Sequence, residues 1–294
     1  MTTTDLARRA ATDPAPAPAT RRPRFTSAGV TKHVYMITMI VLMLFPLYLT
    51  IIGSFKELNQ ILDDFFLPTL PLHTENYVRA FDYISPYYVN TIIYAALSIV
   101  LTVGAATLAG YAFSALRFPF RRILFLLLFA KMFLPGVMSL VPSFVLASNL
   151  GLLNTPFVIA LFCMGTSMPF WVFVMKVFVD QQPRELFESM RMDGASELRI
   201  FVSLVLPLLR PMVALMSLNV LLFIWNDFIW PLVTLTDEDK RTITVGIFKL
   251  SSAAGLDYGM MIAGYALAAL PLLIAFFIAM RAFMSGLTAG AIKL

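Results

Sequence analysis

Cysteine and histidine are almost missing from this sequence. Cys163 is the only cysteine, and His33 and His73 are the only histidines. A single cysteine excludes an intrachain disulfide and a cysteine metal cluster, and two separated histidines leave little material for a catalytic centre. The sequence also lacks a Gly-x-x-x-x-Gly-Lys-Ser/Thr phosphate loop, and with it that means of binding ATP. We therefore predict that the chain is not an enzyme and holds no metal or cofactor of its own.

Charged residues are scarce as well. They make up 13% of the 294 residues, and hydrophobic residues make up 59%, against roughly a quarter and a half in a soluble domain. A water-soluble fold of this size cannot hide so much apolar surface, so much of the chain must be solvated by lipid. We predict an all-α, polytopic membrane protein whose six transmembrane helices cover residues 34–55, 88–114, 123–149, 157–175, 212–235 and 260–280.

The distribution of Lys and Arg predicts the orientation. Six spans place both termini on the same side of the membrane, and most basic residues lie in the segments on that side. Because basic residues concentrate in cytoplasmic segments, both termini are predicted to be cytoplasmic. The segments predicted to lie outside hold only Lys56, Arg79, Lys240, Arg241 and Lys249.

Composition divides the chain into a tail and a membrane domain. Residues 1–31 are polar and rich in Ala, Pro and Arg, so we predict a disordered, basic cytoplasmic tail; residues 32–294 form the transmembrane domain. Two outer segments, Lys56–Tyr87 and Thr236–Gly259, are acidic-leaning and too short to be domains. They are candidate docking surfaces, and the alternative is that they are solvated connections.

The longest inner segment, residues 181–207, has the pattern of two short helices. Pro183 suits the first turn of a helix, and Gly194 suits its end because glycine accepts a left-handed backbone. A second helical pattern follows and continues into the next span through Pro207. Such an amphipathic knob could dock in a groove of a cytosolic partner, or it could lie on the lipid headgroups.

Several motifs resemble a known family. The pattern Glu188-Ser-Met-Arg-Met-Asp-Gly194, followed by Ala195-Ser and Leu206-Pro207, is similar to the EAA loop of ABC importer permeases, with Ser189 and Met190 in place of its alanines. Three further segments resemble the carbohydrate importers of the maltose-permease (MalG-like) type: Gly110–Pro119, Trp225–Pro231 and Gly286–Lys293. The resemblance covers the chain from about Val34 to its C-terminus.

The resemblance implies a type I ABC permease fold and a function. The chain would form half of the translocation pathway for a sugar, a di- or oligosaccharide, in the bacterial cytoplasmic membrane. Its partners would be a homologous second permease in a heterodimer, two ATPase subunits that bind ATP and Mg, and an extracytoplasmic sugar-binding protein; no nucleic acid is implied. The alternatives are an ABC permease for another solute, such as glycerol phosphate, and a secondary transporter.

The resemblance also assigns roles to residues. The C-terminal tail would lie near the ATPase, and the tip of the last outer loop would reach into the binding protein. That tip consists of Ser251, Ser252, Ala253, Ala254 and Gly255. The residues expected to couple the chain to the ATPase are Glu188, Met190, Asp193, Gly194, Ala195 and Pro207.

Two charged residues fall inside predicted spans. Lys131 lies ~13 Å from the cytoplasmic end of its span, and Asp227 lies ~22 Å from that side. Because intramembrane charges are costly and normally face protein or water, Lys131, Asp227 and the adjacent Asn226 are candidates for the pathway or an interface. Alternatively, Asp227 anchors a helix end and Lys131 pairs with the partner permease.

Overall fold

The computed structural model describes residues 27–255 and 257–291, and within these ranges it contains helices and no strand. The chain divides into two compact units, residues 1–48 and residues 49–294. In the first unit the described residues belong to helix α1 (Ser27–Ser54), whose apolar side chains between Val34 and Leu47 are largely exposed. Helix α1 begins within the predicted tail, and residues 1–26 of that tail lie outside the described residues.

The second unit is built from helices that follow one another along the chain. These are α2 (Leu58–Asp63), α3 (Glu75–Ala115), α4 (Arg121–Ala130), α5 (Leu140–Asn149), α6 (Pro156–Asp180), α7 (Arg184–Met192), α8 (Glu197–Ile200), α9 (Leu206–Asn226), α10 (Ile229–Thr234), α11 (Ile243–Ala253) and α12 (Tyr258–Ala291). In the described part, five helices are long and apolar enough to cross a membrane, and a bent pair brings the number to six. The predicted all-α, multi-span fold is confirmed.

The core of the second unit lies where α3, α6 and α9 meet. A Cβ atom added to Gly110 of α3 would lie 2.5 Å from Cβ of Met175 in α6. The two helices can approach this closely only because residue 110 has no side chain. Gly110 therefore determines how closely α3 packs on α6.

The third predicted span is not one continuous helix, which corrects the sequence prediction. The α4 and α5 halves are joined through two short 3-10 turns, Lys131–Phe133 and Gly136–Ser139, and the halves are bent by 103°. Pro135 explains the break. It lacks an amide hydrogen and holds the preceding Leu134 in an extended conformation, with ψ 123°.

The fifth predicted span also differs from the prediction. Its helix begins in the cytoplasmic segment at Glu197 and runs to Asn226, where Asp227 adopts an extended backbone; the short helix α10 follows. A wider π-helical turn, Phe201–Val205, precedes Pro207, which has no amide hydrogen to donate. The predicted continuity between the second inner helix and the membrane span is thus confirmed, while the predicted end at Leu235 is wrong.

Neither outer segment is a simple connection. Helix α3 begins at Glu75, well before the predicted start at Tyr88. In the second segment, α11 buries Ile243, Ile247 and Leu250. A Cβ atom on Gly246 of α11 would lie 2.2 Å from the ring of Tyr87, so α11 packs directly on α3. The part of the segment 236–259 that forms α11 is therefore packed structure, whereas the acidic residues 237–239 are exposed.

Candidate functional site

The inner segment between α6 and α8 is held in one conformation by a helix-ending motif. Gly194 has a φ of +76°, the left-handed geometry that favours glycine. Its amide donates to the carbonyl of Arg191 at 3.0 Å, and the amide of Ala195 donates to the carbonyl of Met190 at 3.0 Å. This pair of bonds is the Schellman motif. The predicted glycine stop is confirmed, and the motif explains why Met190, Gly194 and Ala195 occur together.

Helix α7 is attached to the membrane helices by one aromatic side chain. Phe187 is buried and stacks on Tyr111 of α3, with ring centroids 6.5 Å apart and planes 22° apart. Tyr111 also contacts Phe201 at 5.7 Å. Met190 and Ala195 are partly buried against the same core, whereas Leu186 is 40% exposed.

A polar network fixes the angle between α7 and α8. Arg191 Nε donates to Glu197 Oε1 at 2.8 Å, and the hydroxyl of Tyr111 donates to Glu197 Oε2. The hydrogen bonds to the Glu197 carboxylate raise the pKa of the Arg191 guanidinium. Sequence reasoning did not assign roles to these three residues. Tyr111 falls within the segment Gly110–Pro119 that carries the family resemblance, which was the signal available.

A polar cleft of about 650 Å³ lies beside α7. Its wall is organised around Asp180, which accepts from Lys176 Nζ at 2.5 Å and from Ser114 Oγ at 2.6 Å. Arg121 caps the end of α3 by donating to the carbonyl of Ser114 at 3.1 Å. Glu188 also lines the cleft. The cleft therefore presents charged groups next to the exposed side of α7.

The other predicted coupling residues have different positions. Glu188 and Asp193 are exposed, and Asp193 is the residue at the C-terminal cap of α7. Pro207 is exposed in the first turn of α9, on a different element from the Schellman motif. Two apolar side chains, Met192 at 87% and Leu198 at 68% exposure, also face outward here. Met192 lies one helical turn after Glu188 on α7.

The predicted outer tip forms the end of α11. That helix ends at Ala253, and Gly255 adopts a left-handed φ of +58°. Ser252, Ala253 and Gly255 are exposed, and Ser251 donates to the carbonyl of Phe248 at 2.6 Å. The small side chains thus project from a helix whose other face is buried.

The intramembrane candidates are not brought together. Lys131 Nζ donates to the carbonyl of Gly165, and Asp227 Oδ1 accepts from the amide of Trp230 at 3.5 Å. Asn226 donates to the carbonyl of Leu222 at 2.8 Å. Asp227 therefore lies at the junction of α9 and α10, the helix-end position considered above. Residues 286–291 of the tail motif 286–293 lie in the last turns of α12, and its last two residues are outside the described residues.

Among the described residues, one group has the side chains of a metal site. His73 Nδ1 lies 2.7 Å from Glu75 Oε1 and 3.3 Å from Glu57 Oε1. The contact with Glu75 is a hydrogen bond, and the contact with Glu57 has the distance of an ion pair. Both glutamates are more than half exposed. The group connects the N-terminus of α2 to that of α3.

Comparison with known proteins identifies the family. Residues 103–288 match the model of the binding-protein-dependent transport system inner membrane component. The chain belongs to this family. It is therefore a multi-pass membrane component of a transport system that works with a solute-binding protein, and it is not the catalytic subunit.

Individual relatives align with most of this chain. It is 30% identical to the arabinooligosaccharides transport system permease protein AraQ of Bacillus subtilis (strain 168), over 92% of this chain and 98% of the relative. It is 32% identical to the maltodextrin transport system permease protein MdxG of the same organism, over 90% and 96%. A crystal structure of a bacterial ABC transporter involved in alginate import has the same fold, with TM-score 0.77, 21% identity, and coverage of 88% and 99%.

Proposed function

We propose that this chain is one of two permease halves of an ATP-driven importer for a sugar, a di- or oligosaccharide. The observation that carries the proposal is helix α7, which is locked by the Schellman motif and seated on Tyr111 with Glu188 exposed. The oligosaccharides named for the relatives support the substrate class. In this proposal α7 is the coupling helix that fits a cleft of a separate ATPase, which binds ATP and Mg.

The path from this helix into the membrane supports the coupling role. A displacement of α7 acts on α3 through the Phe187–Tyr111 stack and on α8 through the Arg191–Glu197 pair. Helix α8 continues through the π-helical turn into α9, and the joined helical run Glu197–Asn226 is 30 residues or about 45 Å long. A helical run of this length can connect a movement at one face of the membrane to the other. The chain therefore contains a mechanical connection without any nucleotide-binding motif.

The proposal includes the partners and the location. A homologous second permease completes a heterodimer, two ATPase subunits contact α7, and the C-terminal residues lie near the ATPase. An extracytoplasmic sugar-binding protein contacts the exposed tip 251–255. No nucleic acid is involved. The chain lies in the bacterial cytoplasmic membrane, with lipid around its exposed apolar side chains and with both termini cytoplasmic.

Substitution of Gly194 tests the coupling role. A valine there opposes the left-handed backbone by ~1–2 kcal/mol, and a Cβ atom at this position has no heavy atom within 4 Å to clash with. The strain therefore acts on the end of α7. In the complete transport complex, we expect Gly194→Val and Glu188→Leu to reduce sugar uptake and the stimulation of ATP hydrolysis by the loaded binding protein. Co-purification of the two permeases should be preserved.

Gly151 provides a matched control. It ends α5 with the same motif: its φ is +67°, its amide donates to Ser148, and the amide of Leu152 donates to Ala147. Its Cβ position is equally open. Gly151→Val imposes the same strain away from α7 and should leave the stimulation intact. Equal loss of stimulation in the Gly151 and Gly194 variants, or no loss in either, would contradict the assignment of α7.

A further inference from the structure

We propose that the bend between α4 and α5 carries a saccharide-binding subsite, in which the Lys131 ammonium donates hydrogen bonds to oxygen atoms of the passing solute. The proposal rests on the importer function above and adds to it a contact residue within the membrane. A cavity of about 250 Å³ lies beside the bend. Its lining is mostly apolar and includes the aromatic rings of Phe162 and Trp230, and its polar side chains are those of Lys131, Ser139, Ser143 and Thr166.

The hydrogen bonding of Lys131 leaves capacity for a ligand. An ammonium group has three donors, and the one hydrogen bond of Lys131 in the described part of the chain goes to the carbonyl of Gly165. No carboxylate is among the described residues that line the cavity. A lysine at membrane depth is costly unless it faces water or a polar partner. The remaining donors therefore require an oxygen-rich environment in the cavity.

The backbone at the bend also requires cover by protein or by a water-filled cavity. Irregular backbone at membrane depth is tolerated where protein covers it or where it lines a water-filled cavity. At this bend Phe133 is 75%, Leu134 67% and Val137 83% exposed on the chain. Two features that each need an aqueous or covered surface, the charge and the broken helix, thus occur at the same point of the span.

The cavity combines a mainly apolar lining with a few groups that can hydrogen-bond a sugar unit. Hydroxyl groups of Ser143 and Thr166 can donate and accept, and Lys131 can only donate, so the site suits a ligand rich in oxygen acceptors. Trp230 forms a rigid wall, because its ring stacks on Phe162 at 4.1 Å and its Nε1 donates to Val158 at 3.0 Å. The volume is below the roughly 300 Å³ minimum of drug-sized pockets. It therefore fits one unit of a longer saccharide.

Lys131 donates to an oxygen atom of the solute, and two solute groups supply such an acceptor: a sugar hydroxyl and a uronic carboxylate. The test uses the complete importer with saturating binding protein, and compares a neutral oligosaccharide with an oligouronate. The variants are Lys131→Met, Lys131→Arg and, as a control that removes a lysine outside the cavity, Lys32→Met. The measurements are transport rate, ATP hydrolysis stimulated by loaded binding protein, and co-purification of the two permeases.

We expect Lys131→Met to lower transport per ATP hydrolysed by about tenfold, because one hydrogen bond to a charged group is lost. The stimulation of ATP hydrolysis and the co-purification of the two permeases should stay unchanged. Lys131→Arg should recover part of the transport, and Lys32→Met should behave as the wild type. A defect with both solutes identifies a hydroxyl acceptor, and a defect confined to the oligouronate identifies a carboxylate. Unchanged transport in Lys131→Met would overturn the subsite. Loss of co-purification would overturn it in favour of an ion pair with the second permease. A wild-type importer that moves neither saccharide would overturn both proposals.

Discussion

The hydroxyl of Tyr111 offers the sharpest test of how α7 is connected to the membrane helices. Tyr111→Phe keeps the aromatic contacts with Phe187 and Phe201 and removes the hydrogen bond to Glu197. A hydrogen bond to a charged group contributes roughly 1.5–3 kcal/mol. The Glu197 side chain is 44% exposed and keeps Arg191 as a partner, so the low end applies. We expect the free energy that holds α7 in place to fall by about 1.5 kcal/mol, which lowers the population of correctly placed α7 about tenfold.

The assay compares this variant with a second tyrosine on the same helix. Tyr94, in the middle of α3, donates its hydroxyl hydrogen to the carbonyl of Lys240 at 2.7 Å. Tyr94→Phe should cost about 1 kcal/mol and lower the thermal stability of the purified complex to a similar degree. The stimulation of ATP hydrolysis by loaded binding protein should fall in Tyr111→Phe alone. The reasoning is refuted if both variants lose stimulation equally or if Tyr111→Phe keeps all of it.

Two further predictions concern orientation and packing. Single cysteines at Glu188 and Asp239 are introduced in a cysteine-free background and treated with an impermeant thiol reagent in intact cells. The Asp239 site should react and the Glu188 site should not. The reverse pattern would mean that the topology is inverted. Gly110→Ala should destabilise the complex by about 1–3 kcal/mol, because the added methyl group meets Met175. Gly104→Ala should be neutral or stabilising, because its Cβ meets nothing within 4 Å. Equal melting temperatures for the two variants would contradict the close packing of α3 on α6.

Local signals in the sequence predicted the features that local physics controls. The apolar runs identified the spans, since hydropathy summed over a segment decides whether lipid or water solvates it. Gly194 identified the end of α7, since the left-handed geometry depends on that residue alone. Pro135 was visible too, but its effect was not predicted. Pro46, Pro169 and Pro271 lie within continuous helices, so a proline in a span does not by itself predict a break.

What the sequence by itself determined, therefore, is the all-α membrane fold, the position of the inner segment with α7 and the family to which the chain belongs. Only the tertiary structure decided which side chains meet. Tyr111 and Glu197 are 86 residues apart in the chain, and the burial of α11 depends on a glycine that admits the ring of Tyr87. Periodicity and motif spacing report on neighbours along the chain, whereas a hydrogen bond between distant helices depends on how those helices pack. The environment of Lys131 likewise follows from a bend of 103°, which the apolar pattern of its span does not encode.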